Sequence, residues 1–173
     1  QQFDNFLLPN LLMPPLYAYY LYAFSFFNLE VHDFILLILF SQIVLASISV
    51  GVFYKINKLF FSQRISFYSS LLFSLFPIYL YSCGQISSAS LTVFLAIFFY
   101  YYFFMITHSN KFIYIFMFAF IGGLLILVRR EFTIIILLSS FYLFYFFKIS
   151  LKKIFLIFLI SLITISPYLV RNY

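Results

Sequence analysis

The sequence predicts an all-α membrane protein, a polytopic transmembrane helix bundle with about six spans and one further interfacial helix. Of its 173 residues, 66% are apolar and 8% are charged, whereas an ordinary soluble domain has roughly 45 to 50% apolar and about 25% charged residues. So few charges cannot cover a globule of this size, and most of the exterior must therefore face lipid. The apolar stretches are continuous rather than alternating, which favours helices over a β-barrel.

Six apolar segments are candidate spans, because a bilayer core of about 30 Å needs roughly 20 apolar residues, with about 17 to 25 tolerated. They cover residues 34–54, 65–81, 86–106, 112–128, 132–147 and 154–170. The fifth is the shortest and needs its flanking residues to cross. We treat 1–173 as a single transmembrane domain, with an outer loop and interfacial helix in 1–33 and a six-helix membrane region in 34–170.

The segment 16–27 is apolar but only about a dozen residues long. It carries Tyr17, Tyr19, Tyr20 and Tyr22. This length suits an interfacial or re-entrant helix better than a span, and tyrosine rings prefer the headgroup level. Pro14 and Pro15 suit its start, since proline is tolerated in a first helical turn.

The lysines and arginines of the joints predict the orientation of the bundle. One face collects Lys55, Lys58, Arg64, Lys111, Lys148, Lys152 and Lys153, and the other holds Arg129, Arg130 and Arg171. Seven cations against three place the first face in the cytoplasm, as expected for a multi-pass protein of the plasma (inner) membrane. The four carboxylates, Asp4, Glu30, Asp33 and Glu131, then all fall on the outer face.

The joint Arg129-Arg130-Glu131 is the most unusual feature, because two adjacent arginines lie on the outer, normally arginine-poor side. A functional interpretation is a phosphate clamp, since guanidinium is always charged and its planar fork matches phosphate oxygens. The alternative is an interfacial anchor whose arginines reach the lipid headgroups. Arg171 and Asn172 follow the last span on the same face and are either a second contact to an anionic group or a simple stop charge.

Other polar residues have simpler interpretations. Asp4, Glu30 or Asp33 could act as a general base if a substrate hydroxyl reached it, but solvated loop charges are the more ordinary case. His32 and His108 fall on opposite faces and cannot share a metal, and Cys83 is the only cysteine. We therefore predict no metal site. The net charge of +6 comes from loop lysines, so it gives no reason to expect a nucleic-acid partner.

Small residues occur at two places within the apolar segments. Gly122 and Gly123 most simply allow a neighbouring helix to approach closely. Ser87, Ser88 and Ser90 open another span, where their hydroxyls can cap the helix.

Several weak motifs follow one another along most of the chain. They are Met13-Pro14-Pro15-Leu16-Tyr17, the basic joint Lys58 to Arg64, Phe76-Pro77, Gln85 to Leu91, Gly122-Gly123 to Arg130-Glu131, and Pro167 to Tyr173. Their order and topology resemble the GT-C superfamily of membrane glycosyltransferases, in the branch of bacterial protein-mannosyltransferase-like and aminoarabinose-transferase-like enzymes. The resemblance implies transfer of a hexosyl or pentosyl group from a polyprenyl-phosphate donor to an envelope lipid, glycan or protein acceptor on the outer face.

The resemblance also assigns site residues. The arginine after the glycine-bearing helix points toward the outer active site in that family and corresponds to Arg129 or Arg130, with Glu131 beside them. The family's ending from proline to Arg-Asn matches Pro167, Arg171 and Asn172. The expected substrate-binding residues are therefore Arg129, Arg130, Glu131, Arg171 and Asn172.

Two departures from the family pattern bear on catalysis. The catalytic aspartate of the family lies in an outer loop that we expect before Gln1, since Asp4 is too close to the Pro-Pro pair. We therefore expect this sequence to be a piece of a longer chain and to be inactive alone. Ala89 stands where the family often has an acidic residue. No cofactor is identified, and a divalent metal remains an open alternative.

The expected partners are a polyprenyl-phosphate-linked sugar and membrane lipids. A polysaccharide polymerase or ligase of the envelope is an alternative, because it would also need arginines on the outer face. A polytopic transporter is disfavoured, because the predicted spans lack Lys, Arg, Asp and Glu and contain no internal repeat. A purely structural membrane scaffold predicts that the arginines are dispensable.

Overall fold

The computed structural model describes residues 15–109 and 111–171, without the side chain of Arg171. Within these ranges it contains eight α-helices and no strand. The helices are α1 (Leu16–Ser25), α2 (Val31–Asn57), α3 (Gln63–Ser74), α4 (Pro77–Cys83), α5 (Ser88–His108), α6 (Phe112–Val128), α7 (Phe132–Phe147) and α8 (Leu151–Arg171). The predicted all-α fold class is confirmed.

The helices differ in their ability to cross a bilayer. Among the described residues, three helices are long and apolar enough: α2, α5 and the part of α8 at Leu151–Val170. A fourth span results if α3 and α4 are taken as one bent segment. Helices α6 and α7 have 17 and 16 residues, about 25 Å at 1.5 Å per residue, and are short for the hydrocarbon core.

The segment 65–81, predicted as a single span, is divided into α3 and α4, which are bent by 56° at the break. Phe76 between them has an extended backbone, with φ −64° and ψ 120°. The ring of Pro77 disfavours the helical conformation of the residue before it and lacks the N–H that a continuous helix would use. Pro77 then serves as the first residue of α4, where a missing N–H costs nothing.

Helix α6 lies at the centre of the bundle, packed between α5 and α8, while α2 packs on α5 and α3 packs on α2. Phe99 of α5 and Phe118 of α6 are both fully buried, and their rings stack with centroids 4.4 Å apart. Many large apolar side chains are exposed on the surface of the bundle, among them Leu72, Phe155 and Ile134. An exterior of this kind is compatible with lipid rather than water, as a membrane protein requires.

The joints between the helices alternate between two ends of the bundle. At one end, the ring of Phe60 in the α2–α3 joint contacts that of Phe104 near the end of α5, with centroids 4.9 Å apart. A cavity lined by Phe60, His108 and Phe147 connects these joints with the end of α7. We call this the basic end, because the lysines and arginine of the α2–α3, α5–α6 and α7–α8 joints belong to it. The starts of α2, α5 and α7 lie at the opposite end.

Candidate functional site

The paired arginines form a tight turn between α6 and α7, at the end opposite the basic end. Helix α6 ends at Val128, and Arg129 leaves it with an extended backbone of φ −148° and ψ 121°. The Arg129 amide still donates to the Leu125 carbonyl at 2.8 Å. The next helix starts at once, since the amide of Thr133 donates to the Arg130 carbonyl at 3.0 Å. We call Arg129, Arg130 and Glu131 the arginine turn.

The side chains of the arginine turn are all exposed, directly after Val128, which is buried. Within the described part of the chain, neither guanidinium group makes a hydrogen bond or ion pair with protein. Glu131, although adjacent, does not neutralise them by contact. The turn therefore presents two positive charges with their hydrogen-bond donors available to an anion.

An apolar cavity of about 350 Å³ opens among α6, α7 and α8. Its lining consists of Ile126, Thr133, Ile136, Leu137, Phe155, Phe158, Leu159, Ser161, Leu162 and Ile165. Thr133 is the lining residue whose amide bonds to Arg130, and Ile126 lies one turn before Arg129. The cavity thus begins within one helical turn of the arginine turn on both α6 and α7, although no residue of the turn itself lines it.

A polar cluster ties α1 to the bundle at the same end. The Gln42 amide nitrogen in α2 donates to the Tyr17 hydroxyl at 3.2 Å and to the Ser87 carbonyl at 3.3 Å. Tyr20 of α1 also hydrogen-bonds to Ser41. Burial raises the pKa of the Tyr17 phenol, a group that is neutral at physiological pH even at its ordinary pKa. These contacts hold the short tyrosine-rich helix against α2 and the start of α5.

Gln42 is a residue that the sequence reasoning missed. Its side chain is 1% exposed, and its amide oxygen has no hydrogen-bond partner among the described residues. The signal was available, because a glutamine inside a long apolar segment needs a polar partner when it is buried in a membrane.

The structure places some predicted site residues and leaves others outside its description. Glu30 and Asp33 are exposed at the start of α2, at the same end as the arginine turn. Asn172 and Asp4 lie outside the described residues, and for Arg171 only the helical backbone is described. The expected convergence of Arg171 and Asn172 with the arginine turn therefore stays a prediction.

The predictions for the glycines and for Ser87 are confirmed, whereas the Ser90 hydroxyl donates to the Ser82 carbonyl at 2.9 Å instead of capping α5. A Cβ on Gly123 would lie 2.7 Å from the Thr164 Cβ of α8, so close helix approach is confirmed. The Ser87 hydroxyl accepts from the Ala89 amide at 3.4 Å and caps α5. Within the described ranges, no three His, Cys, Asp or Glu side chains are grouped so that they could hold a metal ion.

Comparison with known proteins identifies the family. No curated protein and no solved structure matches the chain. The model of a family described as dolichyl-phosphate-mannose-protein mannosyltransferase matches residues 13–170, nearly the whole sequence, which confirms the resemblance to GT-C enzymes. The chain accordingly belongs to the dolichyl-phosphate-mannose-protein mannosyltransferase family of GT-C-type membrane glycosyltransferases.

Proposed function

We propose that the protein transfers a sugar from a polyprenyl-phosphate donor to an acceptor of the cell envelope, and that the arginine turn binds the donor phosphate. The observation that supports this proposal is the proximity of an apolar cavity to two exposed guanidinium groups that have no partner among the described residues. A lipid phosphate has these same two parts, an anionic head and an apolar tail. The proposal rests on family membership for the reaction type and on this proximity for the substrate.

The chemistry that the arginines would supply is electrostatic. As the bond between the sugar and the phosphate breaks, negative charge develops on the leaving lipid phosphate. Guanidinium groups already positioned at that charge stabilise the transition state, and they act most strongly where water is excluded. The backbone of the arginine turn is short, since α6 ends directly before it and α7 begins directly after it. The two helices therefore fix the backbone positions from which both arginine side chains extend, which favours such preorganisation.

The membrane orientation is part of the proposal. The seven cations of the basic end favour a cytoplasmic position for that end, in a multi-pass protein of the plasma membrane. The arginine turn would then face outward, where a lipid-linked sugar meets envelope acceptors. Labelling of Arg130→Cys in intact cells with a membrane-impermeant thiol reagent tests this, in a Cys83→Ser background. Protection of residue 130 until the cells are broken would contradict the outward position.

Sugar transfer from a polyprenyl-phosphate donor, measured with the full-length protein in membranes, tests the site. Replacing Arg129 or Arg130 by Ala should each reduce kcat by about 10² to 10³, the usual loss when one donor to a developing anion is removed. Lys111→Ala is the matched control, since Lys111 is an exposed cation at the opposite end. Wild-type activity in both arginine variants would remove the assignment.

A further inference from the structure

A second cleft lies at the basic end, remote from the arginine turn. It has a volume of about 620 Å³ and is lined by Tyr54, Ser62, Gln63, Arg64, Phe67 and Tyr68. The end of α2 forms one wall and the first two turns of α3 form the other. This volume falls within the usual range of small-ligand sites, about 300 to 1,000 Å³.

The cleft is positively charged. Arg64 lines it directly, and the Lys58 ammonium, which is not itself a lining group, lies 5.7 Å from the ring centroid of the lining residue Tyr54. No carboxylate lines the cleft, and the described carboxylates Glu30, Asp33 and Glu131 belong to the opposite end. The first amides of α3 add positive potential, since the Ser62 side chain forms no capping bond with them. An anion is therefore the favoured occupant.

The walls of the cleft contain hydrogen-bonding groups beside the cations and apolar groups further along α3. Tyr54, Tyr68, Ser62 and Gln63 supply hydroxyl and amide groups beside the cations. Phe67 lines the cleft and is largely exposed, and Leu71, one turn further along the same face of α3, is exposed as well. An apolar strip therefore leads from the cleft toward the middle of the membrane.

We propose that this cleft binds the phosphate headgroup of an anionic phospholipid, whose acyl chain lies along Phe67 and Leu71. Basic clefts between membrane helices on the cytoplasmic side are known to hold such headgroups. The site is separate from the donor site at the arginine turn, so it does not depend on the proposed reaction. A bound lipid would connect the ends of α2 and α3 across the joint that carries Lys58 and Arg64.

Native mass spectrometry of the purified full-length protein in a non-ionic detergent tests the proposal. The protein is titrated with phosphatidylglycerol, with phosphatidylcholine of the same chains, and with inorganic phosphate. We expect phosphatidylglycerol to bind preferentially. Arg64→Gln and Lys58→Gln should each weaken the binding of phosphatidylglycerol about fivefold. One cation near an anionic lipid contributes roughly 1 kcal/mol, which corresponds to about fivefold in affinity. Phe67→Ala should weaken the binding of phosphatidylglycerol and leave the binding of inorganic phosphate unchanged.

Lys152→Gln is the matched control, because Lys152 is an exposed cation of the basic end that does not line the cleft. It should change lipid binding less than twofold. An equal loss in Lys152→Gln would show that the general charge of this end, and not the cleft, attracts lipid. Equal binding of phosphatidylcholine, or displacement of the lipid by an equal concentration of inorganic phosphate, would likewise overturn the proposal.

Discussion

Gly123 of α6 lies directly against Thr164 of α8, so closely that a Cβ on Gly123 would stand 2.7 Å from the Thr164 Cβ. Nearby, the Ser161 hydroxyl donates to the Ala119 carbonyl at 2.9 Å, joining the same two helices. In lipid, helices associate through close packing and interhelical hydrogen bonds rather than through the hydrophobic effect. This contact therefore sets the position of α6, and α6 ends at the arginine turn.

Replacing Gly123 by Ala should destabilise the protein by about 1 to 3 kcal/mol, the usual penalty for overpacking a tight interior contact. The clash includes the Ser161 carbonyl at 3.1 Å, a backbone atom that cannot rotate away. Thermal unfolding of the detergent-solubilised protein measures the effect. Gly51→Ala in α2 is the control, since a Cβ there meets nothing within 4 Å. Equal melting temperatures for the Gly123 variant and the wild type would contradict the close approach.

Replacing Gln42 by Leu should loosen α1, because the hydrogen bond from the Gln42 amide nitrogen to the Tyr17 hydroxyl of α1 is lost. The second bond, to the Ser87 carbonyl, joins α2 to the start of α5. Interhelical hydrogen bonds in membranes are worth about 0.6 kcal/mol on average, so amide exchange in α1 should accelerate severalfold. Hydrogen exchange read by mass spectrometry over α1 measures it. Gln63→Leu is the control, since Gln63 is an exposed glutamine in α3.

Tyr17→Phe removes the same bond between Gln42 and α1 from its other end and should accelerate the exchange of α1 to a similar extent. Unchanged exchange in both the Gln42 and Tyr17 variants would show that the polar cluster does not hold α1 in place.

Replacing Arg130 by Lys keeps the charge but loses the planar fork that binds two phosphate oxygens at once. We expect kcat/KM for the lipid-linked donor to fall about tenfold, as for loss of one charged hydrogen bond of about 1.5 kcal/mol. The value should therefore lie between those of the wild type and the Arg130→Ala variant. Wild-type kcat/KM in Arg130→Lys would show that the site needs only the positive charge. A kcat/KM as low as that of Arg130→Ala would show that the charge alone contributes nothing.

Replacing Leu162 by Trp should fill part of the apolar cavity next to the arginine turn, because Leu162 lines it and is itself more than half exposed. If the donor tail occupies this cavity, the KM for a long-chain donor should rise while protein stability stays the same. Leu72→Trp is the control, since Leu72 is exposed on α3 and lies outside the cavity. An unchanged KM in the Leu162 variant would exclude the cavity as the tail site.

Two helices were predicted to the residue from the charges that flank them, whereas α2 continues past Lys55 and α8 begins before Lys152. The predicted bounds 112–128 and 132–147 coincide with α6 and α7, because Lys111, the arginine turn and Lys148 cannot be buried in lipid without partners. Helix α2 begins at Val31 and not at residue 34, because the polar residues of its first turn are helical although they precede the apolar stretch. The bend at Pro77 was missed, although proline was the available signal.

The composition by itself determined that this chain is a helical membrane protein, and the order of its short motifs identified its family. Both depend on local properties, since insertion into lipid follows the hydrophobicity of each segment separately. Tertiary structure alone decided that α6 lies between α5 and α8, that Gln42 reaches Tyr17 and Ser87, and that an apolar cavity lies near the arginine turn. Between helices that are equally apolar, pairing depends on shape and on a few polar contacts, and these depend on residues far apart in the sequence.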